Sequence, residues 1–329
     1  MWARDSLPPA MIVFLVLDII AVGLRIFVRT HMSKSFGYDD WAMILALAGY
    51  ITLCALTFVS LENGYGADTV DPSWDIQKGV KFFVASTLAY VIVVFIAKIS
   101  VALVLYRIAV TNKPIRALLI ASVVILTIWT TVTTLIVAFQ CTPLPVAWGE
   151  GTGSCLPAYV LANTGYSISA MDIASSFLYA GLPILLLKDV QLSSKMKASV
   201  IVVLGLGIVS SIATVIRLKY LLDVGKLKSA VGVEASNAYL TTFVYSITEL
   251  GLTLFTASLA ALRPLLKYVP FGNDTTQGYS QSKKKSELRS NMGPAVKLED
   301  LETTPSQEHI IPQGHIQKET QYRVDYANV

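Results

Sequence analysis

Charge is scarce in this chain: Asp, Glu, Lys and Arg make up 15% of its 329 residues, while 54% are hydrophobic. That fraction excludes a soluble domain of ordinary composition, in which about a quarter of the residues are charged. A mean hydropathy of +0.59 points instead to an integral membrane protein. Cysteine and histidine are scarcer still. Three Cys and three His (His31, His309, His315), with no Cys-x-x-Cys, form no zinc or iron ligand set, so neither a metal nor a cofactor is expected. The net charge of +4 says little by itself, since basic and acidic residues are nearly balanced along the chain, and no nucleic-acid partner is expected.

What the chain has is long apolar runs. A bilayer-crossing helix needs about 20 such residues, and seven runs qualify: Pro8 to Val28, Asp40 to Leu61, Val80 to Tyr106, Ile115 to Gln140, Ala158 to Leu187, Ala198 to Leu222 and Ala238 to Leu262. The expected fold is an all-α, seven-helix transmembrane bundle over residues 1–268. The first run is long enough to stay in the bilayer as a signal anchor rather than be cleaved. From 269 to 329 the chain is polar and irregular, with Ser-Lys-Lys-Lys-Ser at Ser282 to Ser286, and reads as a disordered tail.

Orientation follows from Lys and Arg, which are retained on the cytoplasmic side. The odd loops carry Arg25, Arg29 and Lys34, then Arg107, Lys113 and Arg116, then Lys188, Lys195 and Lys197. The even loops are acidic or nearly neutral: Glu62, Asp68, Asp71 and Asp75 in the second and Glu150 in the fourth. The sixth is mixed, Lys219, Lys226 and Lys228 standing against Asp223 and Glu234. The amino terminus is expected outside and the tail in the cytoplasm, in the plasma membrane or the endoplasmic reticulum. On that topology Asn273-Asp-Thr, a glycosylation sequon in form, stays unmodified. Cys141 and Cys155 share one outer loop, rich in Pro and Gly, and are expected to pair as a disulfide. Cys54 is left as a small buried hydrophobe.

Ionisable residues at span depth are costly, about 2.5 kcal/mol or more each on insertion scales, so each is a candidate site residue. Five stand out: Asp18, Asp172 and Glu249 near the middle of their runs, Lys98 in the inner half of the third, and Arg217 toward the outer end of the sixth. Pairing would let them stay ionised, and a shared polar core follows. It serves either as a ligand or substrate site or as structural glue between helices. Tyr90, Tyr166, Tyr179, Tyr245, Ser167, Ser175 and Ser176 could line a cavity there or simply pack. Pro183 would loosen the fifth helix, and Gly205 with Gly207 would allow close helix approach.

Ordered motifs run through these spans: Leu24-Arg-Ile-Phe-Val-Arg29, Gly37-Tyr-Asp-Asp-Trp41, Gly64-Tyr-Gly66, Lys98-Ile-Ser100, Tyr106-Arg107-Ile108, Cys141-x-Pro143 to Trp148 and Cys155, Asp172 to Pro183, Gly205 to Arg217, and Glu249 to Pro264. The series resembles the fungal rhodopsin-domain integral membrane proteins, the family that includes a satratoxin-cluster membrane protein. Two positions depart from the pattern: Asp68 stands where relatives usually carry His, and Ala260 where a proline is common. Despite the family's name, the seventh run has no lysine to form a retinal Schiff base, which argues against light sensing. The third ends in Leu-Tyr-Arg-Ile without an acid before Arg, and the seventh lacks Asn-Pro-x-x-Tyr, so G-protein coupling would rest on fold analogy alone.

Two functions follow. A receptor-like protein would bind a small lipophilic or polar molecule in the charged core and signal to a cytoplasmic partner through the inner loops and tail. Alternatively, a membrane-bound, non-redox enzyme or accessory of fungal secondary-metabolite biosynthesis, as the resemblance implies, would use Asp172, Glu249 or Asp18 as acid or base for cyclisation or isomerisation. Prenyl transfer is disfavoured, because Asp39-Asp40 has no second acidic motif to share a diphosphate-bound magnesium. A transporter ranks last, with no inverted repeat in view.

Overall fold

The structure, a computed structural model, describes residues 2–67, 72–109, 112–187, 194–224 and 233–262. The polar tail with its lysine triplet and Asn273, and the loop positions Asp68, Asp71, Lys188, Lys226 and Lys228, lie outside the described residues.

Among the described residues seven long α-helices follow one another: α1 (Trp2–Phe27), α2 (Tyr38–Glu62), α3 (Ile76–Ile108), α4 (Lys113–Ala138), α5 (Ala158–Leu187), α6 (Ser194–Val224) and α7 (Val233–Ala261). In lipid every backbone N–H and C=O must be satisfied within the segment, and a helix does this with its own ladder. The ends are set by local chemistry. Gly37 N–H donates to the Asp40 carboxylate at 3.0 Å as α2 begins, Asp75 caps α3 by accepting from Lys78 N–H at 3.1 Å, and Pro114 opens α4. α1 starts six residues before Pro8, where its apolar run was expected to begin, because Ala3, Leu7 and Met11 recur at four-residue spacing and bury one stripe. Pro8 and Pro9 are carried inside it. The chain leaves α1 through one wide π turn, Val28–Met32.

Among the described residues, α1, α2, α3, α4, α6 and α7 each include a stretch long and apolar enough to cross a membrane. The middle of α5 carries Thr164, Ser167, Ser169, Asp172, Ser175 and Ser176.

Each helix packs on the next, and α7 closes back against α1. α3 also reaches across to α5 and α7, which makes it the central strut. α4 is peripheral: only Leu119, Leu126 and Thr133 are buried, while Ile120, Val124, Ile128 and Val132 face outward, the surface a helix shows to lipid. The larger core lies between α1, α2, α3 and α7 around Met11, Tyr50, Leu53, Val93, Ile247 and Leu254; a smaller one joins α3, α4 and α5 through Leu105, Leu119, Tyr179 and Leu182. Packing inside a bilayer gains dispersion rather than burial from water, so close fit matters. The tight approaches fall where the sequence did not place them. A Cβ at Gly251 would stand 2.6 Å from the Phe14 ring, and one at Gly49 2.6 Å from Val93. At Gly205 it would meet no described atom within 4 Å, and at Gly207 only Ala180 at 3.9 Å.

Between α4 and α5, β1 (Cys141–Thr142) pairs antiparallel with β2 (Ser154–Cys155), and the disulfide joins the opposed Cys141 and Cys155. Lys81 of α3 lies over the Trp148 ring of this loop at 5.3 Å.

Candidate functional site

Four of the five ionisable residues singled out inside the spans meet on α3, α5, α6 and α7. On α5, Ser169, Asp172, Ser175 and Ser176 share one face through the helical spacing of three and four. Lys98 of α3 points at that face. Its ammonium donates to the Asp172 carbonyl at 2.8 Å, Ser175 Oγ at 2.6 Å and Ser176 Oγ at 2.9 Å, and forms an ion pair with the Asp172 carboxylate. Arg217 of α6 approaches from the other side. It donates to Tyr90 OH and to Ser169 Oγ, the latter at 2.9 Å, and lies 3.4 Å from Glu249 Oε2 and 4.0 Å from Asp172 Oδ2. The Asp172 and Glu249 carboxyl groups face each other. Two bases and two acids thus share one buried volume, where removing any one would leave its partner uncompensated. The satisfaction is incomplete: Arg217 Nε and Glu249 Oε2 are buried without a hydrogen-bond partner among the described residues.

Asp18 stands apart from these four. It is fully buried beside Tyr50 and Cys54 of α2, and neither carboxyl oxygen has a hydrogen-bond partner among the described residues. Depth along a helix put it level with Asp172 and Glu249, but its azimuth turns it toward α2.

A cavity of about 130 Å³ opens beside Lys98 between α3, α5, α6 and α7. Val101, Val104, Leu105, Tyr179, Leu204 and Ala257 make its wall mostly apolar; Ser176, Ser210, Thr253 and Thr256 add hydroxyls, and Pro183 and Ala260 lie at the end away from the disulfide. A second cavity, about 40 Å³, lies between α3, α4 and α5 and touches Lys98 and Asp172. Toward the disulfide end the core is filled by aromatics: Tyr65 stacks on Phe83 at 4.2 Å, and Phe83 meets Phe243 at 5.4 Å. Burial there pushes the Tyr65 phenol above its ordinary range. Gly64 and Gly66 flank Tyr65 with φ of 85° and 73°, which fits the sharp turn after α2.

A second charged cluster, at the end of the bundle opposite the disulfide, went unseen as a unit in the sequence. Arg25, read there as a loop charge, is fully buried. Its guanidinium donates to Asp40 Oδ1 at 2.8 Å, Asp39 Oδ2 at 2.8 Å and the Ala257 carbonyl at 2.9 Å, tying α1 to α2 and α7. Arg29 reaches Asp39 at 3.3 Å, Arg107 reaches the same carboxylate at 3.6 Å, and Ser100 donates to the Asp39 carbonyl at 2.8 Å. The signal was available: these residues are the polar members of the ordered motifs on the first three helices. Ser169, Ser210, Thr253 and Thr256 were also missed. They lie three, four or seven residues from an ionisable partner or face the helices that carry one.

Of the other candidates, Tyr90, Tyr179, Ser175 and Ser176 bond into or line this region. Ser167 back-bonds to the Thr164 carbonyl at 2.8 Å, and Tyr245 stacks on Tyr220 at 5.3 Å. Cys54 is buried and free. Among the described residues no group of His, Cys, Asp and Glu could hold a metal ion.

A family model described as the fungal rhodopsin domain matches residues 24–268. No curated protein and no solved structure matches the chain.

Proposed function

The chain belongs to the fungal rhodopsin-domain family and is a multi-pass membrane protein, and from that premise we propose that it is a receptor-like bundle binding a small molecule in its core. Its α5 is a seventh span, tolerated despite its polar residues because their partners come from α3 and α6. The amino terminus is outside, in the plasma membrane or endoplasmic reticulum. Arg29, Arg107, Lys113 and Arg116 at one end and the disulfide loop at the other support that orientation.

One observation carries the binding reading: a largely apolar cavity adjoins a charge-balanced cluster through Lys98. An apolar volume with a few placed polar groups is the usual form of a small-molecule site. Filling it would bear on α7 beside Ala257, whose carbonyl Arg25 holds, so occupancy and the arrangement of the cytoplasmic end are mechanically linked. A cytoplasmic partner would read that end. The enzyme reading has less support, because neither Glu249 nor Asp18 lines either cavity and Asp172 lines only the smaller one.

The test is thermal unfolding in nanodiscs against lipid extracts of the host, comparing the natural chain with Ala260→Phe, which fills the cavity. A ligand at 100 times its Kd stabilises by about 2.7 kcal/mol, so a fraction that raises Tm of the natural chain and not of the filled variant is expected. An equal rise in both, or in neither, would sink the proposal.

A further inference from the structure

The polar groups on the cavity wall are unequally occupied, and that inequality bears on the charge of whatever binds there. Among the described residues, Lys98 carries the only formal charge on the wall. Its three ammonium protons face four acceptors: the Asp172 carbonyl and carboxylate, Ser175 Oγ and Ser176 Oγ. Beyond it, Arg217 and Glu249 complete a set of two bases and two acids. An anionic head would have to displace one of these acceptors, and a cationic head would find no free acid on the wall. Either would bring an uncompensated charge into a medium that stabilises it poorly.

Two hydroxyls remain. Ser175 donates to the Asp172 carbonyl at 3.0 Å, but Ser176, which accepts from Lys98, gives its own proton to no described residue. Accepting from a cation polarises that O–H and strengthens it as a donor. On α7, Thr253 and Ser258 back-bond to the carbonyls four residues earlier, at 2.9 and 2.8 Å. Thr256 between them has Oγ1 buried without a partner among the described residues.

We infer that the site takes an electrically neutral amphiphile, an apolar body carrying a hydroxyl or carbonyl oxygen, oriented by Ser176 and Thr256, and rejects fatty acids and amines of the same skeleton. The inference rests on the binding reading above.

The test uses the full chain in nanodiscs with Ala260→Cys as reporter, wild-type labelling by N-ethylmaleimide at the buried Cys54 being subtracted. Alkylation is timed with decane, 1-decanol, decanoate and decylamine at equal membrane-bound concentration. Decanol is expected to slow alkylation at least tenfold and the other three less than threefold. Added to the reporter, Ser176→Ala or Thr256→Val should bring decanol down to the level of decane, and Thr256→Ser should restore it. Protection by decanoate or decylamine equal to that by decanol, or a decanol effect indifferent to Ser176 and Thr256, overturns the inference and leaves binding intact. Protection by none of the four removes the binding reading, and the inference with it.

Discussion

At the end opposite the disulfide, the guanidinium of Arg25 is held by Asp39, Asp40 and the Ala257 carbonyl at 2.8 to 2.9 Å. Midway along the bundle, Arg217 meets Glu249 only at 3.4 Å, and its Nε has no partner among the described residues. Both arginines are buried and both face two acids, yet one is saturated and the other is not. Saturation with good geometry is what holds helices in register, since a fully paired charge has nothing left to offer a ligand. Loose pairing beside a cavity is what binding requires, since groups that must respond cannot all be committed. On the binding reading proposed above, the Arg25 cluster is architecture and the Lys98–Asp172–Arg217–Glu249 cluster is the part that responds to a ligand.

The sharpest way to break this comparison is to remove each arginine or its partner and rank the losses by thermal melting in nanodiscs. Arg25→Gln removes the fully buried cation and leaves Asp39 and Asp40 only the longer pairs to Arg29 and Arg107; it should cost about 3 kcal/mol or more, the largest loss of the set. Glu249→Gln keeps shape and leaves two bases against one acid in an already loose cluster; a loss of about 1–3 kcal/mol is expected, together with altered ligand response. An equal loss at both sites would erase the distinction.

Within the clasp the effect should grade with exposure. Ser100→Ala removes one neutral hydrogen bond, about 1 kcal/mol. Arg107→Ala, with a side chain 45% exposed and a 3.6 Å pair, should cost no more than about 1 kcal/mol after screening. A glycine pair offers an uncharged control: Gly251→Ala must push the Phe14 ring aside and should lose about 1–3 kcal/mol, whereas Gly205→Ala meets no described atom and should gain a few tenths through helix propensity.

Much of the site was legible. Lys98, Asp172, Arg217 and Glu249 could be named because an ionisable residue inside an apolar run is conspicuous in one dimension. Asp18 was equally conspicuous, and nothing in its run distinguished it from the others. Arg25 was hidden by its position at the end of a run, where arginines ordinarily reach toward water; here α2 brings two acids to it and α7 a carbonyl. The glycines show the same limit: Gly205 and Gly207 look like a packing motif, but among the described residues Gly207 faces only Ala180 at 3.9 Å, while Gly49 and Gly251 make closer approaches.

By itself the sequence determined that this is a helical membrane protein, since a bilayer tests composition and length, which are properties of each run taken alone. It also brought Cys141 and Cys155 within one short loop and laid the ordered family motifs along the chain. Which charges pair, which remain underbonded and where a cavity lies were decided only by tertiary structure. Those depend on the rotation of each helix about its axis, at 100° per residue, and that angle is set by the packing of all seven helices together.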